Sequence, residues 1–450
     1  MSSNLIRTLN LRDLSLLTVG AVIGSGIFIV PAAVLQAVGG AAGPALVVWI
    51  VAGVLSMMGG LSYGELGAMR PEAGGIYVYI RECFGPLPAF LYGWALFFVI
   101  GSGTVATLAV AFSRYLGVFV PMTPMLARLV AVVVILIMTV INVRGTRGSA
   151  DVQNWTTWIK VFSIVGLSCV LLALGHHGLA EPGAVLWPAA FTRSLASGFG
   201  LAMVSVLWAY EGWAYTSMSA GEAEDPQRTL PRAYLIGIGT LIGVYMLANI
   251  AYLVALGPLQ AAHSPSIAAA AIKAVVGPRA AALVAVMAMI SIYGAAHSTV
   301  LTAPRVYFAM ARDGLFFKKL GEVHARFKTP AFAIIAGSAW SMVLAVSGTF
   351  EQLLTYVVFA AWIFYGLGAA CVLVYRRREP EAVRPYRVPG YPWTPLLFIA
   401  SAAVIVINTL IAKPANAGIG LGLVALGVPV FLFWQRGGRK RGRWAVGGGQ

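Results

Sequence analysis

Three groups of residues in this chain have the chemistry to do work. The first is Gly24-Ser25-Gly26, set inside the apolar run from Gly20 to Pro31. Two glycines around a serine carry high backbone entropy and little side chain, so a helix is predicted to break there. An unwound backbone persists in hydrocarbon only where something else satisfies its N–H and C=O groups, so a broken membrane helix usually lines a cavity or a ligand site. The N–H groups of Gly24, Ser25 and Gly26 would then open the second half-helix, where the positive end of the dipole favours a carboxylate. The carbonyls of Ala21 and Val22 behind them suit a cation. Together the two halves describe a receptor for a zwitterion. Close approach of a neighbouring helix would use the same small residues, and the motif alone leaves both readings open.

The second group is Trp208-Ala209-Tyr210-Glu211-Gly212-Trp213, an acid and a helix-weak glycine between aromatics in an apolar stretch. It argues for another break facing a cavity. The third is Lys160, about two turns into an otherwise apolar helix. A basic residue at membrane depth costs on the order of 3 kcal/mol or more unless it is paired or reaches water. Snorkelling to the inner interface is the alternative to a functional role. His297, beside Ser298 and Thr299, reads more readily as a packed, hydrogen-bonded histidine than as a proton relay.

The elements that must position these residues follow from composition. The chain has 450 residues, 59% hydrophobic and 10% charged, and a positive mean hydropathy, which places it among polytopic membrane proteins with no sizeable soluble domain. A crossing needs roughly 20 apolar residues. By that measure twelve spans are predicted, at 11–38, 42–68, 86–113, 126–143, 154–175, 195–220, 231–257, 279–311, 331–347, 353–375, 394–412 and 418–435. A short helix at the cytoplasmic face is expected after Arg70, and another outside within 258–278. Spans one and six are both interrupted, five spans apart, which is the pattern of two inverted five-helix repeats whose breaks meet near the midplane.

Of the 31 Lys and Arg, those expected outside are Arg114, Arg128, Arg193, Lys273, Arg279 and Lys413. Lys160 and Arg305 fall within spans, and the rest lie on the side of the termini, so both termini are predicted to be cytoplasmic. The net charge of +16 is then a signal of topology and not of nucleic-acid binding, and the basic tail 436–450 is expected to meet anionic lipid. Cys83, Cys169 and Cys371 have no metal or redox spacing. The N-terminus reads as a retained first helix rather than a removed leader. Gly237-Ile-Gly239-Thr-Leu-Ile-Gly243 lacks the spacing and preceding strand of a dinucleotide fingerprint and is read as helix packing. The spans hold neither the charged rings of a channel filter nor an H-E-x-x-H or G-x-S-x-G enzyme motif.

In order along the chain stand Ile23-Gly-Ser-Gly-Ile-Phe, Glu65-Leu-Gly, Gly74-Gly-Ile-Tyr-Val-Tyr and Trp208-Ala-Tyr-Glu-Gly-Trp. They are followed by Glu224-Asp-Pro-Gln-Arg-Thr-Leu-Pro, Pro304-Arg-Val-Tyr-Phe-Ala-Met-Ala-Arg-Asp-Gly and Arg384-Pro-Tyr-Arg-Val-Pro-Gly-Tyr-Pro. In these motifs, over nearly its whole length, the chain resembles the amino acid–polyamine–organocation superfamily, and within it the bacterial relatives of the L-type amino acid transporters.

The resemblance implies an all-α polytopic membrane protein of 12 transmembrane helices. These form a leucine-transporter-like 5+5 inverted repeat (11–175 and 195–375) with two appended helices (394–435), between a cytoplasmic N-terminus (1–10) and the tail. It implies that the substrate carboxylate meets the amides of Gly24, Ser25 and Gly26 and the α-ammonium meets carbonyls of Val22, Trp208 and Glu211. Trp208 would gate the site, which takes in Val22, Ile23, Gly24, Ser25, Gly26, Trp208, Ala209, Tyr210, Glu211, Gly212 and Trp213. Lys160 would stand where sodium otherwise bridges spans one and eight, with Ser298 or Thr299 as the opposite wall.

Two departures from the family pattern matter. No cysteine follows span three in Phe119-Val-Pro-Met-Thr-Pro, so no disulfide-linked heavy chain is expected. Glu211 stands where many members have a small residue; facing the pocket it could attract a cation or carry a proton, and facing away it would brace the helix. The expected function is sodium-independent transport of L-amino acids in a cell inner membrane, by exchange or by facilitated or proton-linked movement, with neutral substrates favoured and no cofactor or metal. Cationic amino acids or polyamines, and a transporter-like amino acid sensor, are the alternatives.

Overall fold

The computed structural model describes residues 5–175, 185–190, 192–347, 350–412 and 414–439. Lys413 and most of the predicted tail lie outside them. Hydrocarbon cannot satisfy backbone groups, so each long apolar run closes its hydrogen bonds within itself as a helix. The first run forms α1 (Leu11–Val22) and α2 (Gly26–Ala37), then come α3 (Ala42–Met69) and a short α4 (Ile76–Phe84). Next are α5 (Pro86–Leu116), α6 (Pro124–Val143), α7 (Thr146–Leu174) and α8 (Arg193–Ala209). After a 3₁₀ stretch at Trp213–Glu222 follow α9 (Pro226–Leu256) and the short pieces α10 (Pro258–Ala262) and α11 (Ile267–Val275). The remainder is α12 (Ala281–Thr302), α13 (Pro304–Arg312), α14 (Ala331–Ser347), α15 (Phe350–Arg378), α16 (Trp393–Ala412) and α17 (Ala417–Gln435). No strand occurs among the described residues; Leu9 and Ala223 form a single parallel bridge.

Nine of these helices are long and apolar enough to cross a membrane, and ten when α1 and α2, bent by 50°, count as one broken span. The chain is a multi-pass membrane protein. Two predicted spans fall short of that length at 17 residues each, α8 and α14. The helix of α8 ends early because the chain unwinds at Tyr210–Gly212 and resumes as 3₁₀ instead of α. Eclipsed side chains make a 3₁₀ run of this length uncommon. Packing holds this one: Trp213 lies 5.2 Å from the ring of Tyr63 and 5.5 Å from Phe398, and Thr216 Oγ1 is 2.9 Å from Thr18 Oγ1 of α1.

The start of α1 is set by a reciprocal cap, with Asn10 Oδ1 accepting from Asp13 N and Asp13 Oδ2 accepting from Asn10 N. Asp13 also accepts from both terminal nitrogens of Arg147 at 2.6 and 3.0 Å and from Asn154 Nδ2 at 2.6 Å, tying α1 to α7. At the same end of the bundle Arg305, expected within a span, finds its counter-charge. Its Nε donates to Glu222 Oε2 at 2.6 Å and its Nη2 to Oε1 at 2.9 Å, while Thr146 donates to Oε1 at 2.7 Å. A buried ion pair tolerates desolvation only when its lone pairs are met in this way. The amides of Thr8 and Leu9 donate to Glu222 O, so the segment before α1 is strapped to the end of the second break.

Candidate functional site

The two breaks touch. Gly212 has φ of +123°, a conformation that side chains rarely adopt, and a Cβ there would lie 2.6 Å from Ala21 O. Gly26 presses on Ala209, whose Cβ would be 3.1 Å from a Cβ at 26. Glycine therefore serves both conformation and close approach at the crossing. Tyr245 of α9 clips the two together: its hydroxyl lies 3.2 Å from Ala209 O and 3.4 Å from Val22 O, its one proton shared between them.

A cavity of about 70 Å³ opens at this junction. The first break supplies Ala21, Val22, Gly24, Ser25 and Gly26; the second supplies Trp208, Ala209 and Glu211, with Tyr215 just beyond. The far wall is Thr104, Thr107 and Leu108 of α5 and Ala295 and Thr299 of α12. Among the described residues no acceptor meets the N–H of Gly24 or Ser25, and no donor meets Ala21 O. These groups stand at the start of α2 and the end of α1, where a helix leaves backbone donors and acceptors unpaired. Of the carbonyls near the two breaks, Trp208 O receives Glu211 N at 3.0 Å and Val22 O lies 3.4 Å from Tyr245 Oη, whereas Ala21 O and Glu211 O have no donor among the described residues. An anion and a cation can be accommodated side by side here, without a charged side chain from the first break.

Lys160 is buried, 1% exposed, and does not snorkel. Its Nζ donates to Gly20 O at 2.8 Å and to Ile23 O at 2.9 Å, two carbonyls at the end of α1 where the first break begins. It also lies against α12, where a Cβ at Gly294 would be 2.6 Å from Lys160 Cε. Charged hydrogen bonds of this kind are worth about 1.5–3 kcal/mol each, which offsets the cost of an ammonium at this depth. Ser298 and Thr299 instead bond Ala295 O of their own helix, at 2.7 and 3.2 Å; Thr299 lines the cavity and Ser298 does not.

Glu211 does both things that the sequence held apart. It lines the cavity, and its Oε1 accepts a 2.7 Å hydrogen bond from Tyr365 of α15. Ile23, Tyr210, Gly212 and Trp213 do not line the cavity. Ile23 contributes its carbonyl to Lys160, Tyr210 packs on Trp49 and Tyr245, and Trp213 packs among Tyr63, Tyr365 and Phe398. His297 is fully buried with Ser149 Oγ at 3.0 Å, Ser149 O at 3.1 Å and Asn142 Nδ2 at 3.4 Å, a packed and hydrogen-bonded histidine.

Sequence reasoning expects pocket side chains from spans three, eight and ten but names none of Thr104, Thr107, Leu108, Ala295 or Tyr365, and it passes over Tyr215 and Tyr245. Only the α5 wall left a signal, because Thr104, Thr107 and Leu108 share one helix face at i, i+3 and i+4.

The model of the family described as Amino acid permease matches residues 9–432. The cystine/glutamate transporter of Homo sapiens is 32% identical over 448 residues, covering 96% of this chain and 86% of the relative. The large neutral amino acids transporter small subunit 2 of Mus musculus is 32% identical over 428 residues, 93% of this chain and 79% of the relative. The serine/threonine exchanger SteT of Bacillus subtilis (strain 168) is 31% identical over 421 residues, 92% of this chain and 94% of the relative. These relatives are transporters and exchangers, not enzymes, and the chain belongs to the amino acid permease family, within the amino acid–polyamine–organocation superfamily.

Proposed function

We propose that this chain is a sodium-independent secondary transporter of L-amino acids, neutral ones favoured, that works by alternating access as an exchanger or facilitator. The observation that carries this reading is Lys160, whose ammonium holds Gly20 O and Ile23 O at the end of α1, where the first break begins, while packed on Gly294 of α12. A fixed cation in that place does what a bound sodium ion would do: it satisfies unwound carbonyls and couples α1 to α7 and α12. The substrate carboxylate then meets the amides of Gly24, Ser25 and Gly26, and its ammonium meets carbonyls at the end of α1 and the end of α8.

Size supports a small substrate. The cavity measures about 70 Å³, a compact space that favours a small amino acid. The names of the relatives support amino acid transport in general, and one of them exchange.

In this reading the chain has twelve crossings, as five-helix repeats at 11–175 and 195–375 with an appended pair at 394–435. Both termini face the cytoplasm of a bacterial-type inner membrane, no disulfide-linked heavy chain is needed, and the basic tail 436–450 lies on anionic lipid. A second reading, cationic amino acids or polyamines, rests on the Glu211 carboxylate at the cavity wall.

Exchange of labelled leucine, alanine, serine and arginine in proteoliposomes, with and without sodium and a pH gradient, tests both. Flux of the neutral substrates indifferent to sodium is the expected result. A requirement for sodium overturns the role given to Lys160, arginine as the sole substrate selects the second reading, and binding without flux would make the chain a sensor.

A further inference from the structure

The α5 wall of the cavity carries a hydroxyl that nothing among the described residues answers. Thr107 lines the cavity, is 4% exposed, and its Oγ1 is buried with no hydrogen-bond partner among the described residues. Its neighbours on the same wall are settled: Thr104 Oγ1 is 3.5 Å from Tyr215 Oη, and Thr299 Oγ1 donates to Ala295 O at 3.2 Å. A threonine inside a helix ordinarily satisfies its hydroxyl on the carbonyl four residues back, as Thr18, Thr139 and Thr302 do here. Thr107 does not. A buried polar group left unmade is costly, and valine would fill the same place without that cost.

We propose that Thr107 is a specificity residue that reads a hydroxyl on the side chain of the transported amino acid. The inference rests on the cavity being the amino acid site. The geometry suits the class: the carboxylate is assigned to the amides of the first break, and α5 stands across the cavity from the broken helices. A hydroxyl on the first side-chain carbon can both donate to and accept from Thr107 Oγ1. A site built to hydrogen-bond a substrate hydroxyl penalises the analogue lacking it, because its own polar group then stays unpaired.

The test is the ratio of kcat/KM for serine and alanine, and for threonine and valine, in proteoliposome exchange by wild type, Thr107→Val and Thr107→Ser. Wild type is expected to favour the hydroxylated member of each pair by roughly tenfold or more. Thr107→Val should lose that ratio while still carrying alanine, and Thr107→Ser should keep it. Alanine flux in Thr107→Val shows that the variant is folded. A Thr107→Val protein with the wild-type ratio, or a wild type that carries alanine and serine equally well, overturns the proposal. Absence of flux for every amino acid in wild type would instead overturn the transport reading on which it rests.

Discussion

The two helix breaks solve the same problem by opposite means. At the first, the groups that the break frees are backbone: N–H groups of Gly24 and Ser25 with no acceptor among the described residues, and carbonyls of Gly20, Val22 and Ile23 held by Lys160 and Tyr245. At the second, the exposed group is a side chain, Glu211, held by Tyr365 from a helix more than a hundred residues away. The 3₁₀ stretch beyond it is held by aromatic packing. A site that binds with backbone can recognise what all amino acids share, while a site that presents side chains can distinguish among them. The first break therefore suits the common zwitterion, and the second break with the α5 wall suits the variable part.

Substitutions that remove the support of the first break should have the largest effect. Lys160→Ala leaves Gly20 O and Ile23 O without their donor; at about 1–3 kcal/mol for each stranded carbonyl, flux of every substrate should fall by tenfold or more, measured as exchange at equal protein density. Equal flux in the variant would mean that the ammonium does not hold the break. Gly212→Ala comes next, because a Cβ there meets Ala21 O at 2.6 Å in a strained conformation. A cost of roughly 1–3 kcal/mol should lower the thermal midpoint of the detergent-solubilised protein, whereas Gly239→Ala, where a Cβ meets only Met57 Cε at 3.9 Å, should not.

Glu211→Gln sharpens the contrast. It keeps the hydrogen bond to Tyr365 but removes the charge, so it should change the ranking of arginine against alanine and leave the zwitterion site intact. A uniform loss for all substrates would place Glu211 with the backbone site. The smallest change is expected for Tyr365→Phe, which removes one hydrogen bond to the carboxylate. At about 1 kcal/mol it should shift KM several-fold in the same direction as Glu211→Gln, and a larger effect than that of Glu211→Gln would show that the tyrosine acts on its own.

The first break was legible because its cause is local. Glycine on both sides of Ser25 weakens a helix wherever the chain runs, and a break in hydrocarbon implies a cavity. The position of Lys160 was legible as an anomaly, since an ammonium in an apolar helix demands a partner; the partner was not, because a carbonyl leaves no trace in residue type. The second break was legible from Glu211 and Gly212, yet its residues divided between the cavity and the packing. A list of neighbours along the chain cannot say that Trp208 and Glu211 line the cavity while Tyr210 and Trp213 join aromatic clusters. The early end of α8 and the 3₁₀ turn of Trp213–Glu222 were equally hidden, being choices made by packing against Tyr63, Phe398 and Thr18.

The sequence by itself determined the membrane class, the helical architecture, the family and the location of both breaks, because hydropathy, helix weakness and charge act over a few residues at a time. Only the tertiary structure decided which atoms complete the cavity: Tyr245 joining the two breaks, Tyr365 holding Glu211, and, among the described residues, Ala21 O left without a donor and Thr107 left unpaired on α5. Each of these depends on where segments far apart in the chain come to rest, and hydrogen bonding is directional enough that half an ångström decides whether a group has a partner or waits for one.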